Sequence, residues 1–217
     1  MQDQNLISKT IEFVKKELKG AEGGHDWFHI ERVYKNALLI GKSENVDITV
    51  VALSALLHDI ADAKFHDGDE SVGPQVAREW LESQSTDEEI INHVIAIINN
   101  ISYKGGKNVR TISSIELDVV QDADRLDAIG AIGIARTFNY GGFKNHKIYD
   151  PSIPVNLNMT KEEYKKSTAP TLNHFYEKLL LLKDLMNTES GKKIAQKRHD
   201  YMLGFLNQFY AEWNGEV

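Results

Sequence analysis

The run Val50-Val-Ala-Leu-Ser-Ala-Leu-Leu57 passes directly into His58-Asp59. A carboxylate and an imidazole at the end of so apolar a stretch are costly to bury unless something compensates them. A bound cation compensates both. His29 and an acid from Gln121-Asp-Ala-Asp-Arg-Leu-Asp127 can complete a set of nitrogen and oxygen donors, and together these residues read as one divalent metal site. Thiolate ligands and disulfides are excluded, because the chain has no cysteine.

A helix turns by about 100° per residue, so His58 and Asp59 project too differently to share a flat face. They can still clasp an ion at a helix end. Two imidazoles and two carboxylates leave about two positions open on a six-coordinate ion, which suits Mn²⁺, Fe²⁺, Co²⁺ or Mg²⁺ better than a closed structural zinc site. Open positions imply chemistry, since a divalent ion acidifies coordinated water and polarises phosphoryl oxygen.

Apolar residues recur three and four apart over most of the chain and almost no segment alternates, which predicts an all-α protein. A first helix is expected from about Asn5 to Leu18, with Leu6, Ile7, Ile11, Val14 and Leu18 inward and Gly20 and Gly23-Gly24 closing it. Asp26 is a candidate N-cap for a helix from Trp27 to about Lys42, and Asp47 for the helix that carries His58-Asp59 near its end. Further helices are expected at about Ser71–Ser83, Asp87–Ile101 and Ile115–Phe138, the last beginning or bending near Asp122. Asn139 to Thr160, with Gly141-Gly142, Pro151 and Pro154, reads as one long lid-like loop. Two amphipathic helices, about Pro170–Asn187 and Ser190–Trp213, close the chain, with Gly191 as an early interruption.

At 217 residues the chain suits a single domain able to bury roughly 70–75% of its unfolded surface. The metal-site core is expected at about 25–138, the lid at 139–160 and C-terminal helices at 161–214. A net charge of −7 without a long Lys/Arg run argues against nucleic acid as partner and leaves room for a small phosphorylated substrate. The N-terminal helix is interrupted by charge, and no apolar stretch approaches about 18 residues. The expectation is a cytoplasmic protein that does not engage a membrane, monomeric or homodimeric.

The pattern His29…His58-Asp59…Asp124 resembles the HD-domain superfamily of metal-dependent phosphohydrolases. The segments His25-Asp-Trp-Phe-His-Ile-Glu-Arg-Val33, Ala55-Leu-Leu-His-Asp-Ile60, Ile101-Ser-Tyr103, Val120-Gln-Asp-Ala-Asp-Arg-Leu-Asp-Ala-Ile-Gly130 and His174-Phe-Tyr-Glu-Lys-Leu179 look like a compact bacterial subfamily often called YpgQ- or YedJ-like. The resemblance implies an HD-domain helical bundle with additional C-terminal helices and covers most of the chain. It also implies the ligand set His29, His58, Asp59 and Asp124, whereas spacing alone does not choose Asp124 over Asp122 or Asp127.

Asp62, one turn beyond His58, takes the place where related enzymes set a carboxylate beside the nucleophilic water, which makes it the candidate general acid/base. Arg125 matches a position that carries a basic side chain facing phosphate and is both a candidate catalytic and substrate-binding residue. Lys178, His174 and His25 are further substrate-binding candidates. Two-metal HD enzymes need more histidines between the central pair and the last aspartate. Only His66 and His93 lie there, neither in a matching spacing, so one ion is expected, Mn²⁺ first, with Mg²⁺, Co²⁺, Fe²⁺ or Ni²⁺ as alternatives. The implied activity is hydrolysis of nucleoside or deoxynucleoside triphosphates with release of pyrophosphate. Alternatives are a nucleoside-monophosphate phosphatase on the same site and a regulatory nucleotide-binding module without turnover.

Each residue also has a plainer reading. His58-Asp59 could be a bare buried ion pair, Asp62 a solvated helix-closing acid, and Arg125 the structural partner of a nearby aspartate. His25-Asp26 is a second literal His-Asp pair in which Asp26 reads as a cap. His93 reads as a satisfied, partly buried histidine; His174 and Lys178 as a solvated helix face; Arg198 and His199 as an ordinary charged face. Lys144, His146 and Lys147 are loop residues that could close over triphosphate. The stripe Phe205, Phe209, Tyr210 and Trp213 reads as core or dimer contact.

Overall fold

A computed structural model describes residues 2–20, 26–61, 69, 71–101, 111–160, 163 and 166–217. Among them every regular element is helical: α1 (Gln2–Glu17), α2 (Trp27–Gly41), α3 (Ile48–Leu57), α4 (Val72–Ser83), α5 (Glu88–Ile101), α6 (Ile115–Asp127), α7 (Gly130–Phe143), α8 (Asn173–Glu177), a 3-10 helix (Leu179–Leu185) and α9 (Glu189–Asn214). None of these helices is long and apolar enough to cross a membrane. The chain divides into two compact units, Met1–Asp124 and Arg125–Val217, the division falling inside α6.

In the first unit the residues from Thr49 to Leu57 are all buried, which is where a helix with no polar face must lie. Contacts with α1, α2 and α5 surround α3. Its start is fixed by Asp47, whose carboxylate accepts from the amides of Thr49 (2.8 Å) and Val50 (3.2 Å). Asp26 does the same for α2, accepting from His29 N at 3.0 Å. Both caps satisfy amides that the first helical turn leaves without partners.

Buried side chains bring α6 to these helices. Asn36 Nδ2 donates to Ala123 O at 3.4 Å, Gln121 Nε2 to Ile101 O at 3.3 Å, and the Asp47 amide to Glu116 Oε1 at 3.0 Å.

In the second unit α9 packs on α7 and on the 3-10 helix. The expected helix over Ile115–Phe138 is two helices, and the break falls at Ala128-Ile129, not near Asp122. Gly130 starts α7 with φ +76, a conformation that costs a residue with a Cβ about 1–2 kcal/mol. The loop expected from Asn139 begins only after Phe143. Gly141 lies within the helix and against Thr171, whose Oγ1 would be 2.1 Å from an added Cβ.

The helix expected over Pro170–Asn187 is broken at Lys178 (φ −144, ψ −57), where α8 gives way to the 3-10 helix. Gly191 does not interrupt the last helix; it lies in the first turn of α9 and donates to the Thr188 cap at 2.9 Å. The aromatic stripe of α9 is largely intramolecular packing. Phe205 meets Phe138 and Phe175, and Tyr149 stands edge-on to Phe209, Tyr210 and Trp213.

Candidate metal centre

The N-cap at Asp26 sets the first turn of α2, and with it His29, whose side chain is buried. His58 follows the last residue of α3 as its C-cap, with Asp59 next to it, so the pair sits at a helix end as the sequence implied. One ligand atom from each of His29, His58 and Asp59 lies within 4.8 Å of the others. Asp124 Oδ1 adds a fourth donor at 3.6 Å from His29 Nε2 and 3.9 Å from His58 Nε2. Two atoms each about 2.1–2.2 Å from a common ion are at most about 4.3 Å apart, so these separations need only a small adjustment, if any, to share one.

The donor chemistry fits as well. His58 Nδ1 donates to Ala55 O at 2.9 Å, which leaves the Nε2 lone pair directed at the site. The two imidazoles stand edge to face, centroids 5.4 Å apart at 66°. Their side chains are 4% and 5% exposed, whereas that of Asp124 is 36% exposed. The cluster is therefore accessible to solvent at Asp124.

The three aspartates of the Gln121–Asp127 segment are separated by their surroundings. Asp122 is wholly buried. Asp127 is held by Arg136, whose Nη1 donates to Oδ2 at 2.6 Å and to the Asp127 carbonyl at 3.2 Å. Asp124 approaches both histidines.

His93 is a satisfied histidine, 3.0 Å from Ser114 Oγ and 3.7 Å from Glu116 Oε2. Asp62, His25 and His66 lie outside the described residues. Arg125 Nη1 donates to the carbonyl of Leu185. His174 is not on a solvated face: burial pushes its imidazole down to about 4, and the charge of Lys178 acts in the same direction. Above that pH it is neutral.

The plain reading of Arg198 and His199 also gives way. Both are half-buried, and Arg198 Nη1 donates to the carbonyl of Leu126 at the end of α6. Burial lowers the pKa of each. Sequence reasoning passed over Asn36 and Gln121 as well. Asn36 had a signal, since it interrupts the inward stripe of Val33, Ala37 and Ile40.

Comparison with known proteins defines the class. A family model described as HD domain matches residues 27–129. YpgQ of Bacillus subtilis is 38% identical over 218 residues, covering 99% of this chain and 97% of that protein. A solved HD-superfamily hydrolase from Bacillus thuringiensis is 46% identical with a TM-score of 0.79, covering 98% of both chains. The structure of Bacillus subtilis YpgQ in complex with ADP has a TM-score of 0.78 at 34% identity, covering 98% of this chain and 97% of that one. The chain belongs to the HD superfamily. Its class is that of a metal-dependent phosphohydrolase.

Proposed function

We propose that this protein hydrolyses the α–β phosphoanhydride bond of a nucleoside or deoxynucleoside triphosphate, water adding to give the monophosphate and pyrophosphate. The observation that carries the reading is the meeting of His29 Nε2, His58 Nε2 and Asp124 Oδ1 beside Asp59, in a partly buried cluster that solvent reaches at Asp124. The presence of ADP on YpgQ supports a nucleotide over other phosphate esters, and the acidity of the chain supports a small substrate over nucleic acid.

His29, His58, Asp59 and Asp124 would hold one divalent ion, Mn²⁺ by preference. When bound, such an ion supplies Lewis acidity to a phosphoryl oxygen and acidifies coordinated water. The protein's own groups do the rest. The Ala55 carbonyl keeps the proton on His58 Nδ1 and so keeps Nε2 unprotonated. Asp62 takes the proton of the attacking water and returns it to the leaving group. Arg125 and Lys178 offset charge that builds on the phosphate oxygens, with neutral His174 and His25 as hydrogen-bonding groups for the substrate. The protein acts in the cytoplasm.

The test is to strip the protein of metal, restore Mn²⁺, and incubate it with ribo- and deoxynucleoside mono- and triphosphates, separating products by chromatography. Monophosphate with equimolar pyrophosphate is expected. Orthophosphate from monophosphates would replace the reading with that of a phosphatase, and nucleotide binding without product under any metal would replace it with a binding module.

A further inference from the structure

The end of α6 is gripped by two arginines, one on the next helix and one far away in sequence. Arg136, from α7, donates through Nη1 to both the carbonyl and Oδ2 of Asp127. Arg198, from α9, donates to the carbonyl of Leu126. Asp127 is 1% exposed, and its charge acts on Arg198 as well as on Arg136, opposing the fall in pKa that burial imposes on Arg198. The last carbonyls of a helix have no partners within it and carry the negative end of its dipole, so cationic donors are favoured there.

The corner is built tightly around this arrangement. Gly130 turns the chain with φ +76, and a Cβ placed there would stand 3.0 Å from both Cβ and Cγ of Arg198.

We propose that Arg136 and Arg198 are positioning residues for the metal centre, acting through Asp124. The carboxylate of Asp124 is borne two and three residues before the gripped carbonyls, less than one helical turn away. Its side chain is also more exposed than either imidazole. A slip or unwinding of the last turn of α6 moves its oxygen relative to two imidazoles fixed by their own helices. Groups that hold a ligand without touching the ion typically change metal affinity by 10–100-fold when removed. Sequence spacing does not reveal this role, because Arg198 sits among Lys192, Lys193 and Lys197 and looks like part of a charged surface.

The inference rests on the ligand set proposed above, and the experiment separates the two. Mn²⁺ affinity is measured by titration calorimetry on the metal-stripped full chain and on Arg136→Met, Arg198→Met, Arg136→Lys, Arg198→Lys, Asp124→Asn and Arg78→Met, with thermal midpoints recorded alongside. Arg78 pairs with Glu82 and Glu88 on the surface and serves as the control for simple loss of an ion pair. The expected result is a tenfold or greater rise in Kd for each Met variant, partial recovery in the Lys variants and no change for Arg78→Met.

Wild-type affinity in the folded Met variants, with Asp124→Asn weakened, overturns the positioning role and leaves the ligand set standing. Wild-type affinity in Asp124→Asn overturns the ligand set and the inference together. If a Met variant does not fold, its Lys counterpart decides: wild-type affinity there with a lowered midpoint means a structural role only and overturns the proposal, whereas weakened affinity at an unchanged midpoint upholds it.

Discussion

At the scale of single residues, polar groups in the apolar interior are where this chain departs from what folding alone would select. The donors of the metal centre are explained by the ion they can hold. Ser54 is not: it is wholly buried in α3 and its hydroxyl has no hydrogen-bond partner among the described residues. Leaving such a group unsatisfied costs about 1–3 kcal/mol, so Ser54→Ala is expected to be neutral or to stabilise by about 1 kcal/mol in urea denaturation. A loss of more than about 1 kcal/mol would mean that the hydroxyl has a role.

His174 makes a second prediction. Its folded pKa, about 4, lies below the ordinary histidine value of about 6.5. Between these two values the unfolded chain binds the proton and the folded chain does not. Its contribution is therefore complete above about pH 6.5 and is lost as pH falls toward 4. Carboxylates titrate in the lower part of that window, so the informative quantity is a difference. Wild type should lose more stability than His174→Gln between pH 7 and 5, and parallel denaturation curves would refute this.

At the scale of elements, local chemistry was most legible where a cap and a periodic stripe agreed. Asp26 and Asp47 mark the starts of α2 and α3 from sequence, and the structure has their carboxylates on the expected amides. The errors came from residues whose meaning depends on what lies opposite. Gly141 was expected in the loop that begins at Asn139 and instead lies in α7 against Thr171. The apolar periodicity through Leu179-Leu-Leu-Leu182 looked like one helix, but the chain breaks at Lys178.

Gly130 belongs with these errors. It falls inside the single helix expected over Ile115–Phe138, and its positive φ makes it the corner between α6 and α7. Gly130→Ala should lower stability by about 1–2 kcal/mol from backbone strain alone, and more if Arg198 has to move. Denaturant titration gives the answer; an unchanged midpoint would show that the corner relaxes freely.

At the scale of the whole molecule, an ion that binds only the folded chain stabilises it by mass action, by about 2.7 kcal/mol at a hundred times its Kd. Mn²⁺ should therefore raise the thermal midpoint, with hydrogen-exchange protection gained chiefly in α2, α3 and α6. Asp59→Ala should abolish this shift and cut turnover by more than about a hundredfold while its circular dichroism stays helical. An equal shift in that variant would remove Asp59 from the ligand set.

By itself the sequence determined the helical class, the burial of the run before His58 and the residue types of the candidate metal centre, because periodicity, capping and donor chemistry are local properties. It narrowed the last ligand to three acids of one segment and went further only by resemblance. The tertiary structure decided that Asp124 approaches the histidines while Asp127 is held by Arg136, and that Arg198 grips a helix end rather than facing solvent. Those outcomes depend on which side chains from distant elements arrive at the same place, and no local pattern carries that information.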